Sequence, residues 1–142
     1  MNVLMLGECC VNNTIHLPFF LDSVAAGFPS PAQDYIEKKL DLNALCIEHP
    51  AATFFVRAQG DSMIDVGIFP GDVLVVDRAL QARDGDIVIA GFYGELTVKK
   101  LQMVPVLRLL AMNKEYAPVD IPEEAELDIF GVVVHVIHSL RV

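Results

Sequence analysis

The sequence has few basic residues, few cysteines and no tryptophan. Lysine and arginine together number 10 against 19 aspartates and glutamates, which gives a net charge of −9 at pH 7. A surface this acidic repels the phosphate backbone, so we expect no strong direct binding to DNA. The cysteines Cys9, Cys10 and Cys46 are an odd number with an adjacent pair, which fits neither a disulfide scaffold nor a zinc site. We therefore expect reduced thiols and a cytoplasmic protein.

Long hydrophobic runs are also missing. The most apolar run near the C-terminus, residues 129–137, is far shorter than the roughly 20 residues that a membrane-spanning helix needs. Near the N-terminus, an apolar stretch precedes the small residues Val24, Ala25 and Ala26, a pattern that also occurs at signal-peptidase sites. Residues 1–26 contain no lysine or arginine, however, and a secretory signal requires a basic start. We predict no membrane association, so the small residues before position 27 need another explanation.

Phosphate-binding glycine loops, dinucleotide fingerprints and clustered metal ligands are absent from the sequence. His135 and His138 are three positions apart in a predicted strand, so their side chains point to opposite faces. No serine lies in the turn typical of α/β-hydrolases, so no Ser-His-Asp triad is recognisable. The sequence thus predicts neither a metal nor an organic cofactor.

The chain does have the length of a single domain, 142 residues, and a high apolar content of 54%. We divide it into an N-terminal arm, residues 1–29, which holds no base and no sustained periodicity, and a domain, residues 30–142. A helix-start pattern, an N-cap serine followed by proline and later by glutamine, begins at Ser30. An apolar stripe at helical spacing follows: Tyr35, Ile36 and Leu40. A short helix is therefore predicted at the start of the domain.

From about residue 52 onwards, short apolar or β-branched segments alternate with turn residues such as glycine and proline. This spacing predicts a compact β domain, either a barrel or a sandwich. The predicted strands are residues 53–58, 73–77, 86–92, 95–101, 106–111 and 127–138.

The segment Gly60-Asp61-Ser62-Met63 suggests a reactive serine. A serine directly after a strand, on a turn that glycine permits, is exposed for nucleophilic attack, and nearby backbone N–H groups can form an oxyanion hole. The same serine is also a plausible N-cap for a single helical turn over the residues that follow, which is a purely structural role. The tetrapeptide alone leaves both interpretations open.

A serine nucleophile requires a base, and without a histidine the known alternative is a lysine that has lost its proton. Burial lowers the pKa of a lysine and so raises its neutral fraction. Lys99 and Lys100 are adjacent in a predicted strand, so alternation sends one to each face but does not indicate which points inward. A structural alternative applies to both, because charged lysines also protect an edge strand from pairing with another chain.

Six segments follow one another at a specific order and spacing: residues 27–31 (GFPSP), 60–65 (GDSMID), 71–72 (GD), 85–90 (GDIVIA), 97–101 (TVKKL) and 128–133 (DIFGVV). In combination they resemble the LexA/UmuD family of self-cleaving serine peptidases, from about Pro18 to the C-terminus. The resemblance implies the mainly β fold shared by LexA-like peptidases and signal peptidases, with a short helix and a flexible N-terminal arm.

The resemblance also assigns the roles that the residues alone left open. It implies that Ser62 is the nucleophile, that Lys99 is the general base and that the cut falls between Ala26 and Gly27. Backbone N–H groups near Asp61 and Ser62 are expected to stabilise the oxyanion. The alanine–glycine bond explains the small residues before position 27, because both this family and signal peptidases accept small side chains next to the cut. No cofactor is implied.

Within the family, repressors carry a DNA-binding domain before the peptidase domain, whereas residues 1–26 hold no base and leave no room for a helix-turn-helix unit. The resemblance therefore favours the SOS-mutagenesis members, which are homodimers cut once under stimulation by the RecA–single-stranded-DNA filament. Their shortened form, here residues 27–142, partners a Y-family polymerase subunit (UmuC-like) in translesion synthesis. Two alternatives are a non-enzymatic binding module with relic catalytic residues and a repressor fragment that acts on other repressors.

Overall fold

The computed structural model describes residues 1–9, 16–20, 36–92, 94–122 and 125–141. Its helices are α1 (Leu42–Cys46) and two single turns of 3₁₀ helix (Pro50–Ala52 and Ile64–Val66). Within the described residues, no helix is long or apolar enough to cross a bilayer. The strands are β1 (Asn2–Glu8), β2 (His16–Phe20), β3 (Ile36–Asp41), β4 (Thr53–Gln59), β5 (Val73–Asp77), β6 (Ile87–Phe92), β7 (Glu95–Gln102), β8 (Arg108–Leu110), β9 (Val119–Asp120) and β10 (Asp128–Ile137).

The chain divides into two units, one of residues 1–9 and 49–142 and the other of residues 10–48. The larger unit is an antiparallel sheet of eight strands in the order β1-β4-β5-β10-β6-β7-β8-β9. The strand β1 also pairs with β7 through Asn2 and Thr97, and this pairing closes the sheet into a barrel-like ring. As a result, the start of β1, the end of β4 and the middle of β7 meet in one region.

The core of this unit consists of two clusters of buried apolar side chains. The strand β6 contributes Ile89 to one cluster and Val88 and Ala90 to the other, so both of its faces are buried. The strand β7 likewise contributes Val98 to one cluster and Leu101 to the other. Burial on both faces explains why the β6 segment is a nearly continuous apolar run in the sequence.

The predicted mainly β fold is confirmed. All six predicted strands are present, as β4, β5, β6, β7, β8 and β10, and their bounds differ from the predicted ones by at most two residues. The strands β1, β2, β3 and β9 were not predicted, because their sequences carry no clear alternation of apolar and polar residues. The domain boundary predicted between residues 29 and 30 lies outside the described residues and stays a prediction.

The short helix predicted from residue 30 to residue 40 is wrong over its second half. Ile36–Asp41 forms β3 and pairs antiparallel with β2 in the smaller unit. A short helix gains little from its own hydrogen bonds, whereas a second strand stabilises the extended form. Helix α1 begins only after β3, where the Asp41 carboxylate accepts a hydrogen bond from the N–H of Asn43 at 3.0 Å. The beginning of the predicted helix, residues 30–35, lies outside the described residues.

Candidate active site

Ser62 lies in the loop that leaves the end of β4. Gly60 has a φ of +89°, in the left-handed region that glycine favours, so the chain turns sharply just before Asp61 and Ser62. Directly after the serine, Met63 is fully buried in the core and leads into the 3₁₀ turn Ile64–Val66. The core therefore anchors the serine from one side and β4 from the other.

The structure does not support the N-cap interpretation of Ser62. Met63 occupies the N-cap position of the 3₁₀ turn, and no side chain caps that turn. The Ser62 side chain is instead buried at 1% exposure, with its Oγ 3.3 Å from Nζ of Lys99. The serine thus contacts a lysine and not the backbone of the helical turn.

A second loop, after β8, holds the serine loop in place. The buried side chain of Asn113 donates from Nδ2 to the carbonyl oxygen of Asp61 at 3.0 Å, and the Tyr116 hydroxyl donates to the Asp61 carboxylate. The N–H of Asp65 donates to the carbonyl oxygen of Met112 at 2.8 Å. Together these bonds fix the residue that precedes Ser62. Sequence reasoning missed Asn113 and Tyr116, because nothing local in the sequence indicates their pairing with distant Asp61.

Lys99 reaches the serine from the middle of β7. Its side chain is buried, and its Nζ lies 3.1 Å from Oγ1 of Thr97 and 3.2 Å from the carbonyl oxygen of Val98. Burial lowers the pKa of Lys99 from its ordinary value of 10.5, while a hydrogen bond with the amino group of Met1 acts in the opposite direction. The adjacent Lys100 points to the other face of β7 by strand alternation. The structure therefore brings Lys99 to the serine.

The Thr97 hydroxyl is one of the hydrogen-bond acceptors for Nζ of Lys99. The Thr97 hydroxyl donates to the carbonyl oxygen of Met1 at 2.6 Å, so its oxygen is left to accept from Nζ of Lys99. The carbonyl oxygen of Val98, the second neighbour of Nζ, can only accept. A neutral lysine has two N–H donors, which these two oxygens occupy. The protonated lysine donates to the Ser62 Oγ at 3.3 Å, whereas the neutral lysine has a lone pair available to accept from the Ser62 hydroxyl.

Met1 lies in the same region. Its carbonyl oxygen accepts a hydrogen bond from the N–H of Val98 at 3.0 Å, and its amino group donates to Oγ1 of Thr97 at 3.5 Å. Burial, and then the neighbouring Lys99, lower the pKa of this amino group from 8.0 to about 5, while Asp61 acts in the opposite direction. The start of β1 therefore contributes directly to the surroundings of Lys99.

A cavity of about 280 Å³ opens in front of Ser62. Two larger cavities, of about 570 and 600 Å³, are lined by neither Ser62 nor Lys99. The smaller cavity is the candidate active site because it alone of the three contains a serine in contact with a buried lysine. It is lined by Met1, Asn2, Gln59, Gly60, Asp61, Ser62 and Tyr116.

The predicted cleavage site, Ala26 and Gly27, lies outside the described residues and stays a prediction. The oxyanion role of the backbone at Asp61 and Ser62 also stays a prediction. Among the described residues, no group of three or more histidines, cysteines, aspartates and glutamates could hold a metal ion.

Comparison with known proteins identifies the family, since the Peptidase S24-like family matches residues 18–134. The chain belongs to the Peptidase S24-like family. It is 56% identical over 124 residues to protein SamA of Salmonella typhimurium, covering 87% of this chain and 86% of SamA. It is also 48% identical over 120 residues to protein MucA of Escherichia coli, covering 84% and 82% of the two chains. These matches confirm the predicted resemblance to the LexA/UmuD family and its SOS-mutagenesis members.

The aligned part covers most of SamA and MucA but a smaller share of a repressor. LexA repressor 1 of Pseudomonas putida is 43% identical over 116 residues, which cover 80% of this chain but only 57% of the repressor. The part matched to the S24-like family contains Ser62, Lys99 and the predicted cleavage site, whereas β1 precedes it. The matched part thus includes the serine and the lysine but not β1.

Proposed function

We propose that this chain is a serine peptidase that cleaves itself between Ala26 and Gly27, with Ser62 as nucleophile and Lys99 as general base. The observation that carries the proposal is the 3.3 Å contact between the two side chains, both of them buried. Membership of the Peptidase S24-like family supports it. The contact matters because a buried lysine loses its proton more easily than an exposed one, and only the neutral form can accept the serine proton.

In the first half of the reaction, neutral Lys99 takes the proton of the Ser62 hydroxyl while Oγ attacks the carbonyl carbon of Ala26. Backbone N–H groups near Asp61 and Ser62 stabilise the negative charge that develops on the carbonyl oxygen. The tetrahedral intermediate then collapses and the bond to Gly27 breaks, as the Lys99 ammonium returns its proton to the departing nitrogen. An ester between Ser62 and Ala26 remains.

In the second half, a water molecule attacks this ester, and Lys99 again acts as the base. The ester bond to Ser62 breaks, Oγ regains a proton from Lys99, and Ala26 leaves with a free carboxylate. The cavity before Ser62, at about 280 Å³, is slightly smaller than ordinary ligand pockets of roughly 300–1,000 Å³.

The biological role that we propose is SOS mutagenesis. Contact with the RecA–single-stranded-DNA filament stimulates the cut, and the product, residues 27–142, serves as the accessory subunit of an error-prone Y-family polymerase. The chain acts as a homodimer. Similarity to SamA and MucA over more than four-fifths of the chain supports this role. The net charge of −9 suits a protein that reaches DNA through partners.

The test is a mass spectrum of the purified chain after incubation with RecA, single-stranded DNA and a nucleotide analogue. We expect a new species that begins at Gly27, which is absent when the Ser62→Ala variant is treated identically. An intact mass in both samples, with RecA filaments shown to be active, would overturn the peptidase proposal. The chain would then be a binding module without catalytic activity.

A further inference from the structure

Apart from Val3, which packs against a core cluster beside the buried Met1, the strand β1 is held in the sheet mainly by its backbone. It pairs with β4 from Asn2 to Glu8, yet Leu4, Met5 and Leu6 remain 51%, 39% and 44% exposed. The neighbouring β4, by contrast, buries three of its seven side chains. A strand that contributes many main-chain hydrogen bonds and little apolar burial resembles a peptide added to the edge of a sheet.

The start of β1 lies beside the candidate active site. Asn2 is opposite Gln59 at the end of β4 and opposite Thr97 in the middle of β7. Just before it, the carbonyl oxygen of Met1 accepts hydrogen bonds from the N–H of Val98 and the Thr97 hydroxyl. A side chain at Gly60 would come within 3.9 Å of the Met1 Cα. The backbone of the chain therefore fills the space between β4 and β7 next to the serine loop.

This space is where an extended substrate has to lie. A peptidase holds the bond to be cut within reach of its nucleophile, and extended peptides bind by pairing with the edge of a strand. The strand β7, which carries Lys99, presents the backbone N–H of Val98 to this space, and this N–H already donates to the carbonyl oxygen of Met1. One N–H cannot serve two strands at full strength, so β1 and a substrate compete for it.

We propose that this edge of β7 is the peptide-binding edge of the peptidase and that β1 is its internal occupant, which must detach before residues 24–27 can lie extended beside Ser62. The inference rests on the proposed function. The observed rate of cleavage then depends on the fraction of molecules in which β1 is detached, because only these can bind the segment to be cut.

The pairing of β1 with β4 is also irregular. The register between β1 and β4 shifts between Met5 and Gly7, which interrupts the hydrogen-bond ladder. Segments with few buried apolar contacts open at a small fraction of the global unfolding free energy. Detachment of β1 opens the ring between β4 and β7 and withdraws Met1 from the core, while the strands from β4 to β7 keep their pairing with one another.

A pair of proline variants tests the inference. The carbonyl of Met1 points to β7, so alternation points the backbone N–H of Leu4 towards β4 and that of Met5 away from it. Leu4→Pro removes a ladder donor, whereas Met5→Pro, the matched control, replaces an N–H that β4 does not use. Both are made in the Ser62→Ala chain, which cannot cut the probe.

The probe is a fluorescent synthetic peptide with the sequence of residues 21–32, and fluorescence anisotropy measures its binding. We expect Leu4→Pro to tighten binding about tenfold, since one ladder hydrogen bond is lost, and Met5→Pro to change it less than about threefold. Equal affinity for both variants and the parent, or no binding to any of them, would overturn the inference.

If Leu4→Pro does not fold, hydrogen exchange on the Ser62→Ala chain without a proline tests the inference instead. A saturating amount of the peptide should speed the exchange of the amides of residues 2–8. Unchanged exchange in the presence of bound peptide would contradict the competition.

The same prolines in the chain with Ser62 distinguish this inference from the proposed function. Faster self-cleavage in Leu4→Pro than in Met5→Pro supports both. If Leu4→Pro tightens peptide binding but none of the chains cleaves itself, the result supports the occupancy of the β7 edge by β1 and refutes the proposed peptidase activity. Cleavage at the same rate in both variants, with peptide binding unchanged, supports the peptidase and refutes the role of β1.

Discussion

The site around Ser62 and Lys99 and the strand β1 lie side by side, but different forces hold them. Ser62 is followed by the fully buried Met63, and Lys99 lies in β7, which pairs with β6 along most of its length and with β8 from Lys100 to Gln102. Asn113 adds a hydrogen bond to the serine loop from a second loop. The strand β1 has backbone pairing along one edge and leaves most of its side chains exposed.

Under the proposed function, this difference separates the residues that carry out the reaction from the strand that limits access to them. Side chains packed in the core keep the serine and the lysine in place whether or not a peptide is present. A strand held by main-chain hydrogen bonds can exchange with another strand of almost any sequence, because the backbone is the same. Changes in the first region should therefore alter catalysis and stability, whereas changes in β1 should alter access.

Replacement of the lysines should produce the largest effect. We expect Lys99→Ala to slow self-cleavage by about a hundredfold or more, as loss of a general base does, because Lys99 is the residue whose Nζ lies 3.3 Å from the Ser62 Oγ. Lys100→Ala, the matched control on the opposite face of β7, should stay within about threefold of the parent. Intact-mass time courses measure both rates. Undiminished cleavage in Lys99→Ala would point to a different base.

Two methionines allow the stability of the regions to be compared with the same substitution. Met63→Ala, at a fully buried position, should lower the free energy of unfolding by about 2–5 kcal/mol. Met5→Ala, at a position 39% exposed in β1, should lower it by less than about 1 kcal/mol. Urea denaturation followed by circular dichroism measures both values. Similar losses for the two variants would show that β1 is as much a part of the core as the serine loop.

The pH dependence sharpens the role of burial at Lys99. Because the folded pKa of this lysine lies below its ordinary value of 10.5, neutral lysine forms at a lower pH than it would on an exposed strand. The cleavage rate should rise about tenfold per pH unit below that folded pKa and then level off. Rates of the unstimulated chain in a series of alkaline buffers measure the profile. A flat profile would exclude lysine as the base.

The same lysine should affect stability in a defined direction. Between its folded pKa and 10.5, the unfolded chain binds more protons at this position than the folded chain does. The free energy of unfolding should therefore gain a contribution as pH rises through this window. Lys99→Met, which removes the titrating group, should lose that gain.

The hydrogen bond that orients the serine loop should have a smaller effect. Asn113→Asp removes the Nδ2 donor to the Asp61 carbonyl while it keeps an oxygen for the N–H of Glu115. We expect cleavage about tenfold slower, since the residue before the nucleophile is no longer fixed. Tyr116→Phe, on the exposed side of the same loop, should cost only about twofold. Unchanged cleavage in Asn113→Asp would show that the core alone positions Ser62.

Much of the fold followed from local sequence patterns. The six strands of the barrel that bury apolar side chains were predicted because β-branched runs alternate with glycine and proline turns. The strand β1 was not predicted, because its pairing depends on the edge of β4 and not on its own side chains. The helix predicted up to Leu40 is wrong over residues 36–40, which belong to β3. Pairing with β2 stabilises the extended form more than three apolar residues at helical spacing stabilise a helix.

The candidate site was predictable in its residue types and less so in its arrangement. Alternation indicated that one lysine of the pair turns inward, and only the resemblance to a family favoured Lys99. The hydrogen bonds of its Nζ depend on Thr97 and, through Thr97, on the carbonyl of Met1, which is distant in the sequence. Contacts between distant residues of this kind leave no periodic signal in a single sequence.

The most direct test of the central claim is an intact-mass time course of the purified chain alone at alkaline pH, beside the Ser62→Ala and Lys99→Ala variants. We predict that the parent chain yields two species, residues 1–26 and residues 27–142, and that both variants keep their full mass. A cut at another bond, or a cut between Ala26 and Gly27 that persists in Ser62→Ala, would contradict the assignment of Ser62 and Lys99 as the catalytic pair.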